Sequence, residues 1–113
     1  MESILTSIKK LLGIPEDYAI FDVDIIIHIN TVLFTLQQIG VGPVEGFSIT
    51  TDEQTWSDFL GDDLQKLEAV KTYMYLKVKM AFDPSTSSFV LESYKRMADE
   101  LEWRLNVKAE TGV

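Results

Sequence analysis

The chain has 113 residues, 46% of them hydrophobic and 11% aromatic, which is enough to bury one real core and too little for a second domain. Eighteen Asp and Glu against ten Lys and Arg give a formal charge of -8, a sign that repels phosphate backbones and argues against sequence-independent nucleic-acid binding. The absence of cysteine excludes disulfides, thiolate catalysis and cysteine-ligated zinc together.

In chain order, Ser3 precedes Ile4, Leu5, Ile8, Leu11 and Leu12 at helical spacing, and Gly13 and Pro15 close the run, predicting a short amphipathic helix. A helix this short is unstable alone in water, so its apolar face must dock on the domain or on another subunit. Glu2 near the start and Lys9 and Lys10 among the apolar residues break the basic-then-apolar order of a signal peptide. No apolar run reaches the ~18 residues of a membrane span, and a cytoplasm is the expected setting.

Asp22 is the expected cap of a second helix running to about Ile39, ended by Gly40, Gly42 and Pro43. Asp24, His28, Thr31, Thr35 and Gln38 form one polar stripe along it, while Ile25, Ile26, Ile29, Val32, Leu33, Leu36 and Ile39 cover most of the remaining circumference. This helix is the expected centre of the core. Residues 40–63 then combine glycine punctuation and six carboxylates, with no Lys or Arg, with Val44, Phe47, Ile49, Trp56, Phe59 and Leu60. That is more apolar bulk than a solvated loop requires, so the segment either folds back on the helices or is reserved for a partner. Thr55 to Asp58 has the Thr-x-x-acid form of a helix start.

A third helix is predicted from about Asp63 to Phe82, with Leu67, Val70, Met74, Val78 and Ala81 in line and Asp83 and Pro84 as its stop. Ser85 to Ser88 supply capping side chains for a fourth, with Val90, Tyr94, Met97, Leu101 and Leu105 inward. Glu92 with Arg96, and Glu100 with Arg104, stand four apart and mark its outer face. The tail after Asn106 reads as frayed or free. The sum is an all-α fold in a single domain: a short N-terminal helix plus three longer ones, with one elaborated acidic-apolar loop.

Catalytic chemistry finds little support. His28 is the only histidine and sits four residues after Asp24, a spacing explained by an ordinary solvent-facing helical pair. The serines at 85–88 read as caps, and no glycine pattern or acid spacing suits a phosphate or calcium. No catalytic residue, cofactor, metal or small-molecule substrate is expected. What remains is surface, including Trp103 and Tyr75, which lie off the main apolar lines.

Ile8-Lys9-Lys10-Leu11-Leu12-Gly13-Ile14, the Asp22-led helix, Leu67-Glu68-Ala69-Val70-Lys71-Thr72-Tyr73 leading to Phe82-Asp83-Pro84, and Glu100-Leu101-Glu102-Trp103-Arg104-Leu105-Asn106 follow in an order that resembles the head-tail connector proteins of tailed bacteriophages, also called adaptors or head-completion proteins. The resemblance spans nearly the whole chain. It implies a non-enzymatic virion protein, assembled in the host bacterial cytoplasm, that forms a ring with copies of itself, usually twelvefold. Such a ring lies between the portal and a stopper or tail-completion protein, and DNA passes through its channel without specific binding. On that basis Phe47, Ile49, Trp56 and Phe59 are expected to contact sister subunits or neighbours, with Trp103 as a further anchor. The tail Asn106 to Val113, including Val107 and Lys108, is expected to order on the portal. A rival reading is a cytoplasmic regulatory module that masks a basic partner surface with its acidic loop.

Overall fold

The computed structural model describes residues 2–111, without the side chains of residues 64, 110 and 111. Among these residues the fold is all-α: α1 (Ile4–Leu12), α2 (Asp22–Gln38), the short α3 (Trp56–Leu60), α4 (Leu67–Phe82) entered through a 3-10 turn at Leu64–Lys66, and α5 (Ser88–Thr111).

Local chemistry sets the helix ends. Ser3 accepts a hydrogen bond from the Thr6 amide at 3.2 Å and so caps α1. At the other end, Gly13 at φ 80 closes the helix, while Ile14 N–H donates to the Lys9 carbonyl, a left-handed ending that favours glycine. α2 ends the same way, with Gly40 N–H on Gln37 and Val41 N–H on Leu36. Thr55 and Asp58 form the reciprocal capping box of α3. Ser87 caps α5 by accepting from the Val90 amide at 3.3 Å. Asp22 departs from expectation: Phe21 is the cap residue of α2 and makes no side-chain cap bond. The Asp22 carboxylate instead lies 2.8 Å from the ammonium of the buried Lys9. Its Oδ1 accepts no aligned hydrogen bond, so its burial is offset by the charge of Lys9, which also donates to the Glu16 carbonyl at 3.0 Å.

α4 is the hub, packing against α1, α2 and α5, so the centre of the core lies there and not on α2. Val70, Tyr73, Met74, Leu76 and Val78 of α4 meet Ile4, Leu5 and Ile8 of α1 and Ile25, Ile29, Val32, Leu33 and Leu36 of α2 in one cluster. α5 adds Ala98 and Leu105, while Met97, expected inward, is largely exposed. The helix also continues through Thr111, so residues 107–111 are not a free tail. Asn106 donates to the Ile39 carbonyl at 3.4 Å, and Ala109 lies against Gly40 so closely that a methyl there would sit 2.9 Å from its Cβ.

Candidate assembly surface

The 40–63 segment is folded inwards, and polar backbone chemistry explains why. Peptide groups outside regular structure must find partners when buried, and here the helices supply them. Asn30 of α2 holds Ile49 with both ends of its amide: Oδ1 accepts from the Ile49 amide at 2.8 Å and Nδ2 donates to its carbonyl at 3.0 Å. Ser3 and Thr55 form an antiparallel bridge, with the Ile4 amide on the Gln54 carbonyl at 3.0 Å. Below it the Trp56 indole is fully buried and donates to the Ser7 hydroxyl of α1 at 2.9 Å. The Phe59 ring packs where a side chain on Gly42 would stand.

Ile49, Trp56 and Phe59 are therefore core residues of this chain, and Phe47 is half-buried with its ring 5.4 Å from Phe59. The sequence reading took these four as contacts to neighbouring proteins; in this chain Ile49, Trp56 and Phe59 are buried, and Phe47 keeps part of its ring at the surface. Trp103 is exposed as expected, at 66%. Asn106, Val107 and Lys108 lie half-buried on α5, and Val113 falls outside the described residues.

The uncovered apolar surface lies elsewhere. Ile20, Val23, Ile27 and Phe34 are 71, 70, 57 and 60% exposed. Val23, Ile27 and Phe34, spaced 4 and 7 apart, share one face of α2, opposite the buried Ile25, Ile29 and Leu36, and Ile20 stands in the turn just before the helix. Tyr18 and Phe21 extend the patch at the entry to α2, with Phe21 stacked edge-on to Phe82 at 5.4 Å. On α5, Phe89 and Met97 join Trp103 as exposed large residues. Sequence reasoning had assigned the outward face of α2 to its polar stripe. The available signal was the hydrophobicity of the helix on all sides, which marks a helix covered on all sides, and α1, α4 and the loop cover only part of it.

No group of three or more His, Cys, Asp or Glu among the described residues could hold a metal ion. His28 stacks near Phe82, with ring centres 6.3 Å apart. The perturbed groups are structural. Burial, then the Glu102 carboxylate hydrogen-bonded at 2.9 Å, pushes the Tyr73 phenol well above its ordinary value. The Asp83 carboxylate, hydrogen-bonded at 2.9 Å, raises Lys79. Both pairs fasten helix ends or faces.

Fold and surface together define a small helical protein with an uncovered apolar face. The chain belongs to the phage connector protein family, whose model matches residues 4–112. It is thus a structural protein of a bacteriophage virion, of a family whose members interact with portal and tail proteins. No curated protein and no solved structure matches it significantly.

Proposed function

We propose that this connector assembles into a ring that joins the capsid portal to the tail or stopper complex around the DNA exit channel. The observation that carries the proposal is the apolar face of α2, Val23, Ile27 and Phe34, with Ile20 in the turn before it, left in solvent by a chain that packs its core to near-zero exposure. Patches of this kind mark protein–protein contacts, and in a connector the available partners are sister subunits and the proteins above and below. The charge of -8 suits a channel wall past which DNA slides without sticking. Portal contact is assigned to the exposed Trp103 and the C-terminal end of α5, because large aromatics outside a core serve as interface anchors.

Negative-stain microscopy of the pure protein at low and high concentration, alone and with portal, tests this reading. Rings, free or seated on portal, are the expected result. A particle that stays monomeric and leaves portal bare under every condition would overturn it. Within that assay, Trp103→Ala is expected to abolish portal attachment while leaving helical circular dichroism unchanged.

A further inference from the structure

The chain carries ten basic side chains, and most are engaged. Lys9, Lys10, Lys66, Lys71, Lys79 and Arg104 lie in ion pairs, and Lys108 has a partner of its own. Lys77, Lys95 and Arg96 make no ion pair among the described residues, although Glu92 stands one turn from Arg96. Two of these three, Lys77 and Lys95, line a single cleft of about 350 Å³ between α2, α4 and α5, whose other walls are His28, Thr31, Val32, Met80 and Ala81. In a strongly acidic protein the unanswered positive charge is thus gathered around an apolar floor. Such a cleft fits a short segment that presents one apolar side chain beside one carboxylate.

The same chain displays that segment. The Gly46 amide donates to the Pro43 carbonyl at 3.0 Å, closing a four-residue turn with Val44 and Glu45 at its tip. Gly46 at φ 94 supplies the left-handed conformation at its end, and Gln37 holds the tip by donating to the Val44 carbonyl at 3.2 Å. Val44 is 94% exposed, the most of any large hydrophobic among the described residues. Glu45 is exposed and in no ion pair among the described residues. A rigid turn loses little freedom on docking, which is how preorganisation raises affinity.

One chain cannot fill its own cleft. The turn is tied to Gln37 and the cleft is walled by His28, nine residues away on the same helix. At 3.6 residues per turn that separation is about two and a half turns, so the two features lie on opposite flanks of α2. We infer that the Val44–Glu45 turn of one copy docks in the Lys77–Lys95 cleft of the next, Val44 over Val32, Met80 and Ala81, and the Glu45 carboxylate between the two ammonium groups. A contact that joins two different surfaces of one chain is head-to-tail, the kind that propagates into a ring or a filament. The inference rests on the reading that copies assemble.

Paired charge reversals test it. Glu45→Lys places a cation at the cleft of the next copy, and Lys77→Glu with Lys95→Glu places carboxylates opposite Glu45. Each variant alone is expected to associate at least tenfold more weakly than the unaltered protein in sedimentation velocity. A mixture of the two, in which every contact is again between opposite charges, is expected to recover association. All three sites lie at the surface, so helical circular dichroism is expected to stay unchanged.

A second measurement serves even if association is weak. Equal amounts of nitrogen-14 and nitrogen-15 protein, treated at high concentration with a zero-length carbodiimide, are expected to yield heavy–light peptides joining Glu45 to Lys77 or Lys95. Rings formed equally well by both variants, or heavy–light products only at other sites, would sink this contact and leave the ring intact as a proposal. Bare portal together with no heavy–light product would sink both.

Discussion

Two apolar regions of this chain meet opposite fates: apart from Val44 at its tip turn, the apolar residues of the loop 40–63 are drawn towards the core, while the outward face of α2 is left in water. Their hydrophobicity does not distinguish them. The difference lies in the backbone. A helix satisfies its own peptide groups, so one of its faces can stay uncovered without stranding a polar atom. An irregular segment has to borrow donors and acceptors, and here it borrows them from the Asn30 and Gln37 side chains and from the backbone of Glu2 and Ile4. Hence buried apolar residues in a loop point to what holds the loop, and apolar residues left exposed, on a helix or at a turn tip, point to what the molecule meets.

The comparison is broken most violently at Trp56. Trp56→Ala removes a fully buried side chain and its bond to Ser7, and a cost of about 3 to 5 kcal/mol is expected. Chemical denaturation measures it. If Trp56 belonged to a partner surface, the isolated protein would lose almost nothing.

Asn30→Ala is expected to cost about 2 kcal/mol, because it strands both the amide and the carbonyl of Ile49. Hydrogen exchange at the Ile49 amide should rise well before the α4 amides respond, since the loop opens as a local unit. A loss spread evenly over the molecule would mean that the loop is no separate layer on α2.

Tyr73 gives a smaller and pH-dependent effect. Its phenol is raised by burial and by Glu102, so the folded state holds this proton more tightly than the unfolded chain. The resulting stability is fully present below the ordinary tyrosine value of about 10 and falls as pH rises beyond it. Tyr73→Phe is expected to cost about 1 kcal/mol at neutral pH through the lost bond to Glu102 and to flatten the alkaline decline. Denaturation midpoints at pH 8 and above 10 provide the check.

The helices were legible because their signals are local: Ser3 and Gly13 bracket α1, Gly40 ends α2, and Asp83 with Pro84 stops α4. The box at Thr55 and Asp58 announced α3. The side on which each apolar residue would be spent was not legible, because it depends on contacts between distant segments. Asn30 reads as an ordinary polar residue until Ile49, 19 positions on, is placed against it. Likewise the stripe of Val23, Ile27 and Phe34 was hidden in a helix that is apolar on almost every side, and only the packing of α4 decided which side was outward. The α5 end was misjudged because its polar composition masked the anchoring of Asn106 and Ala109 on the end of α2.

The smallest expected effect on stability is also the sharpest test of the comparison. Ile27 and Phe34 sit one heptad apart on the exposed face of α2, and replacing both with serine removes apolar surface more than half of which the isolated chain leaves in solvent. Serine is a moderate helix former, so the folding cost should stay within about 1 kcal/mol. Assembly should respond quite differently: ring formation, or attachment to portal, is expected to be lost, because the contact would now have to desolvate two hydroxyls in place of an isoleucine and a phenylalanine. Thermal denaturation and negative-stain microscopy on the same preparation separate the two quantities. A doubly substituted protein that melts normally and still builds rings would mean that the exposed stripe is idle surface, and that the contacts between copies are made wholly by other faces.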